Sequence, residues 1–175
     1  MKIILGDNQF FGINHADLKK GHISKSKFND RNKIIKFSND SLSLGLDGFM
    51  INSNDVGFNL ILNNEFDKHK EIHYSVPYPH KYANMVNENG MLSLLKFIFN
   101  ETSMLNNIKS GFNFLLDRNV KNLTTLCLEL EIPKTLKKGN YIYLQNIITD
   151  LIIGLERYDL LLSFINNIVE KGYKP

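Results

Sequence analysis

The chain has 175 residues, 43% hydrophobic and 22% charged, with a net charge of +3. It is too apolar for intrinsic disorder and long enough for one buried core, and its lysines are scattered among acids, which speaks against the clustered basic footprint of a nucleic-acid binder. Its single cysteine, Cys127, excludes an internal disulfide and a multi-cysteine zinc site, and no segment has the apolar core of a signal peptide or the roughly 18 apolar residues of a membrane helix.

Lys2–Leu5 is a short apolar run closed by Gly6 and reads as a buried strand. The polar loop GDNQFFGINHADLKKGH follows, and the spacing of Ile34, Ile35, Ser38 and Leu42 then predicts a helix over about 27–44. Asp47–Asn52 is a second strand. Ser53-Asn54-Asp55 is a capping run that opens a helix reaching about Asp67, with Asn54 or Ser53 as the N-cap. Glu71–Val76 is a third strand, ended by Pro77 and Pro79, which cannot donate to a ladder. Two helical segments are expected over about 81–100 and 102–116. Leu123–Ile132, stopped by Pro133, reads as the fourth strand. From Tyr143 onward, Ile147, Ile148, Leu151, Ile152, Leu155, Tyr158, Leu162, Ile165 and Val169 keep helical spacing, as one helix or as two joined near Tyr158-Asp159. Gly172 is the natural C-cap.

Strands alternating with helices imply an α/β fold with parallel strands in the order 1-2-3-4 and flanking helices, in one domain spanning 1–175. The first strand leads into neither G-x-G-x-x-G nor a Walker turn, as a nucleotide-binding doubly wound sheet would require. The strands instead end in polar residues, the habit of a (β/α)₈ barrel, whose site lies on the loops at the C-terminal face. Alternation places Phe49, Ile51, Ile72, Tyr74 and Val76 against helices and Gly48, Met50, Asn52, His73 and Ser75 toward the interior. In the same way it places Cys127, Glu129 and Glu131 inward and Leu126, Leu128 and Leu130 outward.

Three segments, ILGDNQFFGINH (4–15), GLDGFMINSN (45–54) and SVPYPHKYAN (75–84), resemble the start of a bacterial (β/α)₈ barrel family associated with surface-sugar and nonulosonate gene clusters. More distantly they resemble aldo/keto reductases. The resemblance implies a barrel of eight units, of which four are present, so a half-barrel or truncated gene product is expected. The reductases' catalytic Asp, Tyr, Lys and His set has no counterpart at the matching strand ends, and hydride chemistry is not implied.

Within this frame Glu129, Glu131 and His15 are the candidate acid/base residues: two carboxylates at a strand end must be solvated or paired, and a loop imidazole can move a proton. Structural ion pairs and a backbone-holding histidine are the competing explanations. Asn8, Asn52, Tyr78 and His80 are candidate substrate-binding residues, although capping competes as the role of the residues around Asn52. Lys134 follows a proline in a basic loop and is a poor Schiff-base lysine. His73 reads as a satisfied core histidine. No metal is assigned and the cofactor is unknown.

The expected protein is the N-terminal part of a cytoplasmic barrel enzyme acting on a small polar metabolite, a sugar or sugar phosphate, by lyase, isomerase or aldolase-type chemistry. The alternative is a non-catalytic half-barrel that completes its fold as a homodimer or with a second half-barrel. An open-sheet binder of the doubly wound class comes third. Neither nucleic acid nor membrane is an expected partner.

Overall fold

A computed structural model of the chain describes residues 1–14, 16–66, 71–78, 87 and 120–175. Four parallel strands form one sheet in the order β1 (Ile4–Gly6), β2 (Gly48–Asn52), β3 (Glu71–Val76) and β4 (Tyr141–Leu144). The order contains no reversal of the kind a doubly wound sheet has at its switch point.

Between β1 and β2 lie α1 (Leu18–Lys27) and α2 (Arg31–Ser43), and α3 (Asp55–Leu62) follows β2. Asp17 and Asp30 cap the first two helices, each side chain accepting backbone N–H groups of the first turn. Asn54 caps α3, accepting the Gly57 N–H at 2.9 Å, as the capping run requires. Helix α1 occupies part of the expected loop. Its sequence, LKKGHISKSK, buries only Gly21, so it has no apolar stripe by which a periodicity search finds helices.

The expected fourth strand is wrong: Val120–Glu131 is a helix, α4, and the fourth strand is Tyr141–Leu144. Alternating leucines imitate a period of two. Thr124, Leu128 and Glu131 nevertheless form a buried i, i+4, i+7 stripe, and Leu and Glu are good helix formers. Tyr141-Ile142-Tyr143-Leu144 carries the aromatic and β-branched residues that fit a pleated surface. The helical segments expected over 81–100 and 102–116 lie outside the described residues, Asn87 apart.

The C-terminal helical stretch is two helices, α5 (Asn146–Gly154) and α6 (Tyr158–Glu170). Glu156, at φ +55°, turns the chain between them. Gly172 ends α6 at φ +84°, with its N–H on the Val169 carbonyl and the Tyr173 N–H on that of Ile168, a Schellman closure that favours glycine. The chain then returns to the sheet: the Lys174 N–H donates to Asn140 O and its carbonyl accepts the Ile142 N–H, a parallel bridge beside β4.

The expected division of faces holds for β2 and β3. Phe49, Ile51, Ile72, Tyr74 and Val76 are buried with Ile142 in one core, under Ile34 of α2, Leu60 and Ile61 of α3, Leu128 of α4, and Phe164 and Ile168 of α6. The other face carries Gly48, Met50, Asn52, Glu71, His73, Ser75, Tyr141 and Tyr143 in register across three strands. Among the described residues no helix is long and apolar enough to cross a membrane.

Candidate functional site at the carboxyl ends of the strands

A pocket of about 530 Å³ opens where the strands end, lined by Gly6 and Asp7 at the end of β1, Asn52 of β2, Ser75 of β3 and Leu144-Gln145-Asn146 at the end of β4. Parallel α/β folds place ligands at this edge because the loops that leave it are free to vary over a rigid sheet. Asn8, Tyr143, Thr149 and Asp150 complete the polar rim.

Three of these groups form one hydrogen-bonded chain. Asp7, 3% exposed, accepts the Asn52 backbone N–H at 2.7 Å and the Asn52 amide at 2.9 and 3.0 Å. The Gln145 amide in turn donates to Asn52 Oδ1 at 2.8 Å. Gln145 occupies the N-cap position of α5 but does not cap it, since its side chain is committed to Asn52. The network therefore ties the ends of β1, β2 and β4 together across 138 residues of sequence, from Asp7 to Gln145. Burial raises the Asp7 pKa above the ordinary aspartate value, and the two Asn52 bonds only partly offset this.

Behind the rim sits a second buried carboxylate. Glu131, 1% exposed at the end of α4, accepts the Ser53 hydroxyl and, at 3.4 Å, the Tyr78 N–H. It joins the ends of β2 and β3 to α4. The Tyr74 hydroxyl is pushed well above its ordinary pKa by burial and then by the negative charge of Glu131. Burial also raises Tyr78, and Asp7 and Asp55 act in the same direction.

Farther back on the same face as Asn52, His73 stacks against two tyrosines of β4, 4.5 Å from the Tyr141 ring and 5.6 Å from that of Tyr143, and its Nδ1 lies 3.0 Å from the Tyr143 hydroxyl. Its pKa is lowered, first by burial, with Glu71 opposing. The histidine is packed, but it is not the fully satisfied one that its place near the strand start suggested: its buried Nε2 makes no hydrogen bond among the described residues and lies 3.5 Å from Glu71 Oε2.

Asn8 and Asn52 line the pocket as substrate-binding candidates. Glu129 and Glu131 do not project from a strand toward the mouth. They stand on α4, where Glu129 pairs with Lys171 at 3.3 Å and Glu131 makes the internal bonds described above. His15 and His80 lie outside the described residues. Asp7, Gln145, Thr149 and Asp150 were missed. Asp7 was legible as the first polar residue after the first strand, while the other three were hidden by the misplaced fourth strand. Among the described residues no group of three or more His, Cys, Asp or Glu side chains is arranged to hold a metal.

No protein-family model, curated protein or solved structure matches the chain.

Proposed function

We propose that the chain is the N-terminal part of a (β/α)₈-type enzyme that binds a small polar metabolite, of the sugar or sugar-phosphate class, at the carboxyl ends of its strands. The observation that carries this reading is the Asp7–Asn52–Gln145 network on the wall of the 530 Å³ pocket. A buried carboxylate at a strand end, surrounded by amide and hydroxyl groups, suits ligand hydroxyls and can exchange a proton with them.

Acid/base work then falls to Asp7 rather than to Glu129 and Glu131. Its raised pKa brings it nearer to the range in which a general acid or base operates. Glu131 holds Ser53 and the Tyr78 backbone, and so shapes the mouth from behind. The likeness of the three sequence segments to surface-sugar barrels supports the same substrate class.

Saturation-transfer NMR of the purified chain with a panel of aldoses and aldose phosphates tests the reading. Binding that is lost in Asn52→Ala supports it. Binding by no member of the panel, or binding indifferent to Asn52→Ala, refutes it.

A second reading, pairing with another chain, is favoured by an exposed apolar stripe. Ile147, Leu151, Leu155, Tyr158 and Leu162 follow one another along α5 and α6 with their side chains largely in solvent, and α5 buries no residue. Contiguous exposed apolar surface of this kind marks association. Light scattering should then give a mass above that of one chain, reverting to one chain in a Leu151→Glu, Leu162→Glu double variant. A monomeric parent chain would refute this reading.

A further inference from the structure

The lining of the pocket divides into committed and uncommitted groups. Asp7, Asn52 and Gln145 are bonded to one another, and Thr149 Oγ1 donates to the Gln145 carbonyl at 3.1 Å. Ser75 is different: it is 5% exposed, lines the pocket, and its hydroxyl makes no hydrogen bond among the described residues. Its oxygen reaches the open space of the pocket, so a ligand can take up this bonding capacity. Asp150, on the first turns of α5, is likewise without a hydrogen bond or ion pair among the described residues and faces the same space.

The charges of the lining are one-sided. Among the described residues it contains two carboxylates, Asp7 and Asp150, and no Lys, Arg or His. Among the described residues the start of α5 contributes the opposing field, roughly half a positive charge, against the two carboxylates. Lysines do occur at the opposite end of the sheet, where Lys137, Lys138 and Lys174 border a separate pocket of about 240 Å³. A phosphorylated ligand at the mouth would place its charge beside carboxylates, with no basic side chain among the described lining residues to receive it.

We infer that the mouth takes a hydroxylated ligand bearing a cationic amino group, with Asp150 as the counter-charge and the Ser75 hydroxyl as a bonding partner, and not a phosphate ester. The inference rests on the reading of this pocket as a binding site for a small polar metabolite and narrows its class. The amine donates to the Asp150 carboxylate, whose exposure leaves it free to swing toward the ligand. Ser75 exchanges its vacant bonding capacity for a ligand hydroxyl, and Asp7 stays bonded to Asn52.

Calorimetric titration of the chain with glucosamine, glucose and glucose 6-phosphate, at about pH 6.5 so that the amine is charged, tests this. Glucosamine should bind roughly tenfold or more tightly than glucose, and glucose 6-phosphate more weakly than either. Added salt should erode the advantage of the amine, because the pair is partly exposed. Asp150→Asn, at an exposed position with no internal bond to lose, should bring glucosamine to the level of glucose. Ser75→Ala should weaken both. If glucose binds and glucosamine gains nothing, or Asp150→Asn leaves their ratio unchanged, the inference fails and the reading of the pocket survives. If the phosphate ester binds most tightly, the inference also fails. Binding by none of the three to a chain shown to be folded overturns the inference and the reading together.

Discussion

Replacing Gly57 by alanine tests how α3 is seated against the end of β2, one wall of the candidate site. A Cβ built on Gly57 would lie 2.1 Å from the Asn52 carbonyl oxygen and 3.0 Å from Ile51 Cγ1. The first contact is more than 1 Å too close, and its partner is backbone within the central strand, which cannot swing aside. Gly57→Ala must therefore lift α3 off β2 or displace Asn52, and overpacking of this kind costs about 1–3 kcal/mol. Helix propensity acts the other way, by at most about 1 kcal/mol in favour of alanine, so steric displacement wins at all but the lower end of that range. A net loss of about 1–2 kcal/mol corresponds to a Tm lower by about 2–8 °C in a domain of this size. Gly154, in α5, is the control: a Cβ there meets nothing within 4 Å, and Gly154→Ala should be neutral or stabilising by up to about 1 kcal/mol. Thermal and urea denaturation followed by circular dichroism would measure both. A Gly57→Ala chain as stable as the parent would refute the close approach of α3 to Asn52.

Asp7 is raised by burial, so its stabilising contribution is present below the unfolded pKa and lost as pH rises through the folded value. Because asparagine mimics the protonated carboxyl, Asp7→Asn should gain stability relative to the parent as pH climbs from acid to neutral, and urea titrations showing the opposite slope would refute this. His73 has the reverse sign: its lowered pKa makes stability present above the ordinary histidine range and lost as pH falls through the folded value. NMR should find its imidazole titrating below the ordinary value, and His73→Phe should remove its share of the acid-side loss. A double-mutant cycle of Ser53→Ala with Glu131→Gln should give a coupling of about 0.5–3 kcal/mol in denaturation experiments, because the two side chains share one buried bond. Burial pushes the Cys127 thiol up to about 11, leaving roughly one thiolate in a thousand at pH 8. Alkylation of the native chain should accordingly be far slower than in urea, and equal rates would place Cys127 at the surface.

The parts of this fold legible in the sequence are those in which local preference and tertiary burial agree. Glu71–Val76 is a strand with the bounds its pattern predicts, because EIHYSV is β-prone, is buried on its apolar side and is closed by Pro77. Asn54 caps α3 and Gly172 closes α6, because caps are chemistry within a few residues. The alternation of Phe49 and Ile51 with Met50 and Asn52 predicted which side of the sheet the helices cover. Helix α1 escaped because its burial amounts to one glycine, which leaves no apolar signal.

The larger error, over Leu123–Ile132, shows how one local decision propagates into function. A leucine at every second position satisfies a strand template, and the choice between strand and helix there rests on weaker signals: the lack of any β-branched residue between Thr125 and Ile132, and the aromatic strand eight residues beyond Pro133. Read as a strand, that run turns its glutamates into inward-facing acids at the mouth and conceals the true strand end at Leu144, with Gln145 and Asp150 beyond it. Asn52 was recognised as inward-facing, but its partners Asp7 and Gln145 lie 45 and 93 residues away. Bonds of that range are set by strand order and register, so they become readable only when all four strands are correctly placed. Asp7, directly after the first strand, is the exception. Its position at a strand end is enough to mark it as a site residue without knowledge of its partner, although the sequence reading passed over it, and the same positional rule applied to Tyr141–Leu144 points to Gln145 and Asn146.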